Sequence, residues 1–505
     1  MRRVGMVDIG SNTVRLSIVE IRTDGGYLVR HEQKANLRLA ARINADGTFQ
    51  PSAADEAITI LQDFQAAGDD WNVGRWSAVA TAAVRQAVDG PAFVDRIARA
   101  VGINIRIINA AEEAHAGLIG ALNTIAEQDG FTVDIGGGST EITRFVARRR
   151  VTGVSLQWGA VNAAARFGLE GRAKAGALAE LTKALDGALQ EQDPRIFSAP
   201  GLRLIGIGGT ARALAKLDRR RRHYPLPAVH NYLLPPSQVI AFRDELTAMN
   251  VNERARVPGL TADRADLLAA GTALFAWVVE RARPVHVVVS GSGLREGLFY
   301  QEFLADHETP VFDDVLEASI SNLERLHGLP VGRCRRIAGL ATSIWTALGD
   351  EARTIRPPLV AAAARLRDVG TTVNYYDRER HAAYILREGR LFGVDHRERL
   401  LLAAAAGYEG PSKTRSWLAP FAALLTSGDE QLAICMGICV SLAHRIDADT
   451  RGHAGPLSLT VLPSAVRITT SGNSPHGFAS AQALGGDFRK AFGRALALGT
   501  AASTD

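Results

Sequence analysis

Cysteine is nearly absent from this chain: Cys334, Cys435 and Cys439 are the only three in 505 residues. Three thiols cannot build a disulfide framework, and none stands with His or Cys partners at zinc-site spacing, so a reducing compartment is expected. Cys435 and Cys439 lie four apart in an apolar run, a spacing that puts both on one helix face as core thiols. Long apolar runs are missing as well. The longest, Leu432 to Ala443, covers twelve residues, against the ~20 that a membrane span needs. The N-terminus reaches Asp8 before an apolar stretch forms, which is not a signal-peptide pattern. No membrane association and a cytoplasmic location are expected.

Charge of one sign is also lacking. The net charge is +5, divided as +4 over residues 1–305 (36 Lys+Arg, 32 Asp+Glu) and +1 over residues 306–505 (22 and 21). Neither part is a basic arm, so nucleic acid is not an expected partner, while a mild positive excess suits a smaller polyanion. The clusters Arg148–Arg150 and Arg219–Arg222 read as short solvated loops. What is present is an ordinary globular composition, 47% apolar and 22% charged, long enough for two to four domains.

The opening residues read as strand, turn, strand: Val4 to Asp8, then Gly10-Ser11-Asn12, then Val14 to Glu20 in period-two alternation. Helical spacing over 52–67 and 91–101, strands at 76–80 and 103–108, and a helix over 110–122 continue an alternating α/β pattern. At Phe131 the opening pattern returns: Asp134-Ile135-Gly136-Gly137-Gly138-Ser139-Thr140-Glu141, with Asp134 lying 126 residues after Asp8. Two copies of strand, Asp-x-Gly turn and strand predict two related α/β lobes facing each other across a cleft. Leu204 to Thr210 and Val287 to Gly293 add two more strands that end in small-residue turns. After Tyr300 the pattern turns helical, over about 312–327, 333–348, 355–368, 378–388 and 395–406. A hairpin at 457–469 and a loose tail from about 496 follow. The expected domains are residues 1–128, 129–305 and 306–505.

Glycines at sharp turns let the backbone approach a ligand and aim amide N–H groups at anionic oxygens. Gly10, Ser11, Asn12 and Thr13 in one loop, and Gly136, Gly137, Gly138 and Ser139 in the other, form such cradles, with Gly208, Gly209 and Thr210 as a third. Phosphoryl transfer needs charge neutralisation, an aligned nucleophile and usually Mg²⁺. Asp8 and Asp134 stand beside the cradles as hard oxygen ligands for that ion. Glu141, Glu112 or Glu113 would orient or deprotonate the attacking water.

These residues carry a resemblance. Val7-Asp8-Ile9-Gly10-Ser11-Asn12-Thr13, Ala80 to Arg85, Glu112-Glu113-Ala114, Asp134 to Glu141, Gly208-Gly209-Thr210 and Ser290-Gly-Ser-Gly-Leu-Arg295-Glu296-Gly297, in this order, resemble the exopolyphosphatase and guanosine pentaphosphatase family. The loops singly also resemble those of actin, sugar kinases and chaperone ATPases. The resemblance implies an α/β fold of two actin-like, ribonuclease H-like lobes around a cleft. A mostly α-helical domain similar to a degenerate HD-type phosphohydrolase would follow. It implies Glu113 as general base with Glu112 as its neighbour, and Asp134 and Glu141 framing Mg²⁺ and water with Asp8 alongside. Arg15, Arg85 and Arg295 would contact substrate phosphates. It also implies a homodimer that takes inorganic polyphosphate. In the helical domain the HD pair reads Arg367-Asp368, so the histidine ligand is missing, and His381 and His396 have no metal partner at the right spacing. A guanosine pentaphosphate (pppGpp) 5′-phosphatase would use the same cleft. An actin-like ATP-binding module would need an adenosine surface near Gly208 to Arg212, and an alarmone binder without turnover would not need Glu113, Asp134 and Glu141.

Overall fold

The computed structural model describes residues 1–348, 357–453, 456–471, 474 and 477–500. The chain divides into two compact units, one of Met1–Thr23 with Tyr27–Val315 and one of Leu316–Asp505 with Asp24–Gly26.

The first unit holds two sheets built on one plan. In the first sheet, β1 (Arg2–Ile9), β2 (Thr13–Ile21) and β3 (Tyr27–Asn36) are antiparallel neighbours. β4 (Arg75–Ala80) and β5 (Ile105–Ile107) extend it in parallel, giving the order β3-β2-β1-β4-β5. In the second sheet, β6 (Gly130–Ile135), β7 (Thr140–Val146) and β8 (Arg149–Leu156) repeat the antiparallel meander. β9 (Arg203–Ile207) and β11 (Val287–Val289) repeat the parallel half, and β10 (Tyr232–Leu234) caps the edge, in the order β10-β11-β9-β6-β7-β8. The recurrence of Asp-x-Gly in the sequence is thus a recurrence of topology.

Helices cover the sheets because their apolar stripes need burial. The Pro51–Asp70 helix lays Ala53, Ala57, Leu61 and Phe64 on the first sheet. The Leu268–Ala282 helix, apolar on nearly all sides, is sunk in the core of the second lobe. The helices Ala110–Leu122 and Leu294–Phe303 approach closely at Gly120 and Gly297, where a Cβ would strike the neighbouring backbone.

Neither arginine cluster is a solvated loop. Arg148 is buried, its guanidinium donating to the carbonyls of Leu122 (2.7 Å), Glu127 (3.0 Å) and Ile125 (3.3 Å), and Arg149 opens β8. Arg219–Arg221 form the last turn of the Gly208–Arg221 helix, where Arg221 pairs with Glu245 and Arg222 with Asp218. Arg148 is a buried structural tie, whereas Arg149, Arg150 and Arg220–Arg222 are solvent-exposed as expected, on a strand and at a helix end rather than in loops.

In the second unit a helical array runs from Val315–Leu326 to Asp429–Asp449. The helix expected at 355–368 starts at Pro357 and ends at Leu366, with 355–356 outside the described residues. β12 (Leu457–Val461) and β13 (Ala465–Thr470) form the expected hairpin. The tail is a strand as far as it is described: β14 (Ala495–Thr500) pairs in parallel with β13, and 501–505 lie outside the described residues. The Asp429–Asp449 helix has 21 residues and a mean hydropathy of 1.2 in its most apolar window, enough by length and composition to cross a membrane. That window is 72% buried, with Cys435 and Cys439 inside, as in a core helix.

The degenerate HD position is filled by salt bridges. Arg367 is buried and donates to the carbonyls of Ala406 (2.8 Å) and Tyr408 (3.1 Å), and Asp368 pairs with Arg333 (2.5 Å). His396 is buried and His381 half-buried, and among the described residues no three His, Cys, Asp or Glu side chains are placed to hold a metal.

Candidate active site

The two Asp-x-Gly turns are copies at the level of single hydrogen bonds. Gly10 N–H donates to the Thr13 carbonyl at 3.1 Å, and Gly136 N–H donates to the Ser139 carbonyl at 3.0 Å. The turns face each other: a Cβ on Gly137 would stand 2.7 Å from the Ser11 Cβ, so only glycine lets the lobes come this close. Around this meeting point is a cavity of about 140 Å³, lined by Asp8, Gly10, Ser11, Asn12, Thr13 and Arg15 from the first lobe and by Asp134, Gly136, Gly137, Ser139 and Glu141 from the second. Glu113, Gly208, Gly209 and Arg295 complete the expected set on its wall. The cavity lies at the carboxyl ends of the parallel strands, where open α/β sheets leave room for a ligand.

Three expected residues stand elsewhere. Arg85 does not line the cavity. Its Nη1 donates to the Ile108 carbonyl (2.8 Å) and to Glu113 Oε2 (3.0 Å), because the turn after β4 aims the side chain at the start of the Ala110–Leu122 helix. Thr210 is buried against Gly271, and Gly138 is held from behind by Asn162, whose Nδ2 donates to its carbonyl (3.0 Å). Nine further residues join the wall, four of them with polar side chains: Thr81, Arg212, Arg264 and Glu296. Arg212 belongs to a glycine-led turn and so carried a signal. Arg264 sits in a segment without one, and only folding lays its guanidinium over Gly209, where a Cβ would overlap it.

The two glutamates of the Glu-Glu pair separate by function. Glu112 closes a capping box: Asn109 Oδ1 accepts its N–H (2.9 Å) and its Oε2 accepts the Asn109 N–H (2.8 Å). Its other oxygen pairs with Arg106 (2.6 Å). Glu113 instead turns to the cavity with Arg85 as its ion-pair partner.

The electrostatics are strained by design of position. Burial pushes Asp8 up to about 6 against the pull of Arg295 and Arg15, with Asp134 and Glu296 adding to the rise. Glu141 is pushed up to about 7, by burial first and then by Asp134, although the Ser155 hydroxyl donates to it (3.0 Å). Burial also raises Asp134, against Arg212, Arg15 and Arg264. Glu113 is held well above the usual carboxylate range by burial and by Glu141, with Arg85 opposing. Among these acids, burial lowers Arg212 to about 10, which leaves it charged near neutrality, and burial lowers Arg15 and Arg264 as well. Acids and arginines are interleaved along the cavity, Arg15 acting on both Asp8 and Asp134, and Arg212 and Arg264 on Asp134.

Residues 17–306 match the model of the Ppx/GppA phosphatase family, and residues 315–462 match that of Ppx/GppA phosphatase domain III. Among solved structures, an exopolyphosphatase from Cytophaga hutchinsonii is similar at 25% identity and a TM-score of 0.57, over 62% of this chain and 100% of that one. A Ppx/GppA family member from Aquifex aeolicus is similar at 28% identity and a TM-score of 0.53, over 61% and 99%. The fold is therefore the expected one, two actin-like α/β lobes around a cleft with a mostly helical region after them.

Proposed function

The chain belongs to the Ppx/GppA phosphatase family and is a hydrolase of phosphoanhydride bonds, and we propose that it is an exopolyphosphatase, releasing terminal phosphate from inorganic polyphosphate. The observation that carries this reading is the make-up of the cavity. Its wall is glycine backbone, hydroxyls, the Asn12 amide, carboxylates and arginines, with Ala82, Ile207 and Leu294 as the apolar exceptions and no aromatic residue among the described residues. Such a wall suits a row of phosphates and offers no slab on which a purine would stack. The turn near Gly208 to Arg212, where an ATP-binding module would hold adenosine, contributes Gly208, Gly209 and Arg212 to this same polar wall.

In the proposed reaction the terminal phosphoryl group enters the cavity, its oxygens taking N–H groups from the Gly10 and Gly136 turns. The inner phosphates lie against Arg15, Arg212 and Arg264. Glu113 takes a proton from water as the water oxygen bonds to the terminal phosphorus, and the bridging P–O bond breaks. The shortened chain leaves with the bridging oxygen, its charge met by the arginines. Arg85 holds the Glu113 carboxylate toward the water, and its buried Nη2, which has no hydrogen-bond partner among the described residues, adds positive charge there.

The residues fit a divalent cation. Asp134 and Glu141 are cross-strand partners that share one cavity with Asp8, all are hard oxygen donors, and all are raised by burial without enough positive charge nearby. Mg²⁺ ordinarily takes one or two carboxylates and completes its shell with phosphate oxygens and water. Asp134 and Glu141 would hold it with Asp8 alongside, since among the described residues no three carboxylates are placed to ligate one ion directly, and when bound it would neutralise charge on the phosphoryl oxygens. The reading also carries the family expectation of a cytosolic homodimer.

The test is phosphate release with Mg²⁺ from long-chain polyphosphate, pppGpp and ATP in parallel. Release that is fastest from polyphosphate is expected. Turnover confined to pppGpp would replace this reading with the 5′-phosphatase, and turnover confined to ATP with a nucleotide-driven module.

A further inference from the structure

The turn that delivers Arg295 to the cavity, Ser290-Gly291-Ser292-Gly293, has no side chain large enough to anchor itself. Its internal bonds are local: the Ser290 hydroxyl donates to the Ser292 carbonyl (2.7 Å) and accepts the Ser292 N–H (3.1 Å), and Gly293 N–H ends on Glu296 Oε2 (2.8 Å). Gly291 is held from outside, by His230. Gly291 N–H donates to His230 Nδ1 at 3.1 Å, and His230 Nε2 lies 3.2 Å from the Thr124 carbonyl.

Together these contacts fix the ring's tautomer. Nδ1 accepts and so carries no hydrogen, which places the hydrogen on Nε2, where the Thr124 carbonyl accepts it. The packing agrees, since a Cβ on Gly291 would come within 3.1 Å of the His230 Cβ. The ring itself is anchored to the sheet, because the next residue, Asn231, donates its N–H to the Val289 carbonyl (2.8 Å). Thr124 follows the Ala110–Leu122 helix, whose first turn carries Glu113. One imidazole therefore clasps the turn that presents Arg295 to the element that presents Glu113, and neither end of the clasp touches the cavity's carboxylates.

We propose that His230 is a positioning residue for catalysis: by bonding Gly291 N–H and the Thr124 carbonyl it sets the Ser290–Gly293 turn so that the Gly293 backbone and Arg295 face the substrate phosphates. Its substrate rests on the exopolyphosphatase reading; the clasp itself does not. The Arg295 guanidinium is also held by the Leu16 carbonyl (3.3 Å) and the Ser17 hydroxyl (3.0 Å), so a displaced turn moves the Gly291 and Gly293 backbone of the cavity wall and strains those bonds, which is a binding defect before it is a chemical one.

The full chain is compared with His230→Ala, His230→Asn and His230→Gln by backbone hydrogen exchange over residues 289–296 and by steady-state phosphate release from polyphosphate. His230→Asn keeps an acceptor near the Nδ1 position, whereas His230→Gln keeps a donor near Nε2. Faster exchange at Gly291 to Leu294 is expected in His230→Ala, with KM raised about tenfold and kcat changed less than about threefold. His230→Asn should restore both exchange and KM to within about threefold of wild type, and His230→Gln should restore them less. Unchanged exchange and KM in His230→Ala would overturn the proposal, as would an Asn variant as impaired as the Ala variant, since either result reduces His230 to packing. Should the wild type release no phosphate from polyphosphate, the function reading fails, and the exchange measurement alone decides the clasp.

Discussion

Glu141 occupies in the second lobe the place that Arg15 occupies in the first. Each is the cross-strand partner of the aspartate that leads its glycine turn, Glu141 of Asp134 on β6–β7 and Arg15 of Asp8 on β1–β2. Two lobes of one plan thus carry opposite charge at equivalent positions, Arg15 in one and Glu141 in the other.

The arginines and Glu141 should separate kinetically. Arg15→Ala and Arg212→Ala remove charged donors to phosphate, each worth about 1.5–3 kcal/mol, and KM for polyphosphate should rise roughly 10- to 100-fold with kcat less affected. Glu141→Gln should lower kcat and weaken the Mg²⁺ requirement. Initial rates over a matrix of Mg²⁺ and substrate concentrations check this, and equal KM in all three variants would remove this division of roles.

Glu113→Gln keeps the shape of the side chain and loses the base, so kcat should fall by about 10²–10⁴ while substrate binding persists. Glu112→Gln should leave activity within a few-fold, because Glu112 is engaged in the helix cap and with Arg106. Single-turnover phosphate release compares the pair.

Arg85→Ala leaves the Glu113 carboxylate without its partner but removes nothing from the cavity wall. A fall in kcat with KM for polyphosphate nearly unchanged is expected. An increase in KM like that of Arg15→Ala would return Arg85 to the role of phosphate ligand.

The carboxylates should make the metal-free protein less stable as pH rises. Asp8 stands at about 6 against an ordinary 3.8, and Glu141 at about 7 against 4.5, so between about pH 4 and 7 the unfolded chain gives up protons that the fold retains. Their contribution is intact below pH 4 and is lost as pH passes through 6 and 7, on the order of 3 kcal/mol each. With chelator present, Tm should fall from pH 5 to pH 8. Asp8→Asn should raise Tm most at pH 8, about half as much at pH 5 and not at all below the unfolded pKa of 3.8, as followed by calorimetry; a Tm independent of pH would contradict the burial of these acids.

Much of the site was legible because the chemistry is local to short turns. Asp8 to Thr13 and Asp134 to Glu141 are contiguous, so their order alone implies strand, cradle and carboxylate. Strand alternation and helix period likewise located most elements of the first lobe and the helices up to 406 in the second unit within a few residues, whereas the second-lobe helices Ala160–Phe167, Ala177–Gln190, Gly208–Arg221, Pro236–Thr247 and Leu268–Ala282 were not expected. β3 and β8 escaped because a meander strand with one exposed face, as in Tyr27–Asn36, leaves a polar alternation that resembles a loop.

The sequence by itself determined the repeated Asp-x-Gly turns, the helical second unit and the Arg367-Asp368 pair within it, since each is a property of neighbouring residues. Tertiary structure alone decided what lies across the cleft. It took Arg85 from phosphate to Glu113, brought Arg212 and Arg264 to the wall, parted Glu112 from Glu113 and turned Arg148 into a structural tie. A long side chain has several partners within reach, and which one it meets is fixed by the packing of elements distant in sequence rather than by its own surroundings in the chain.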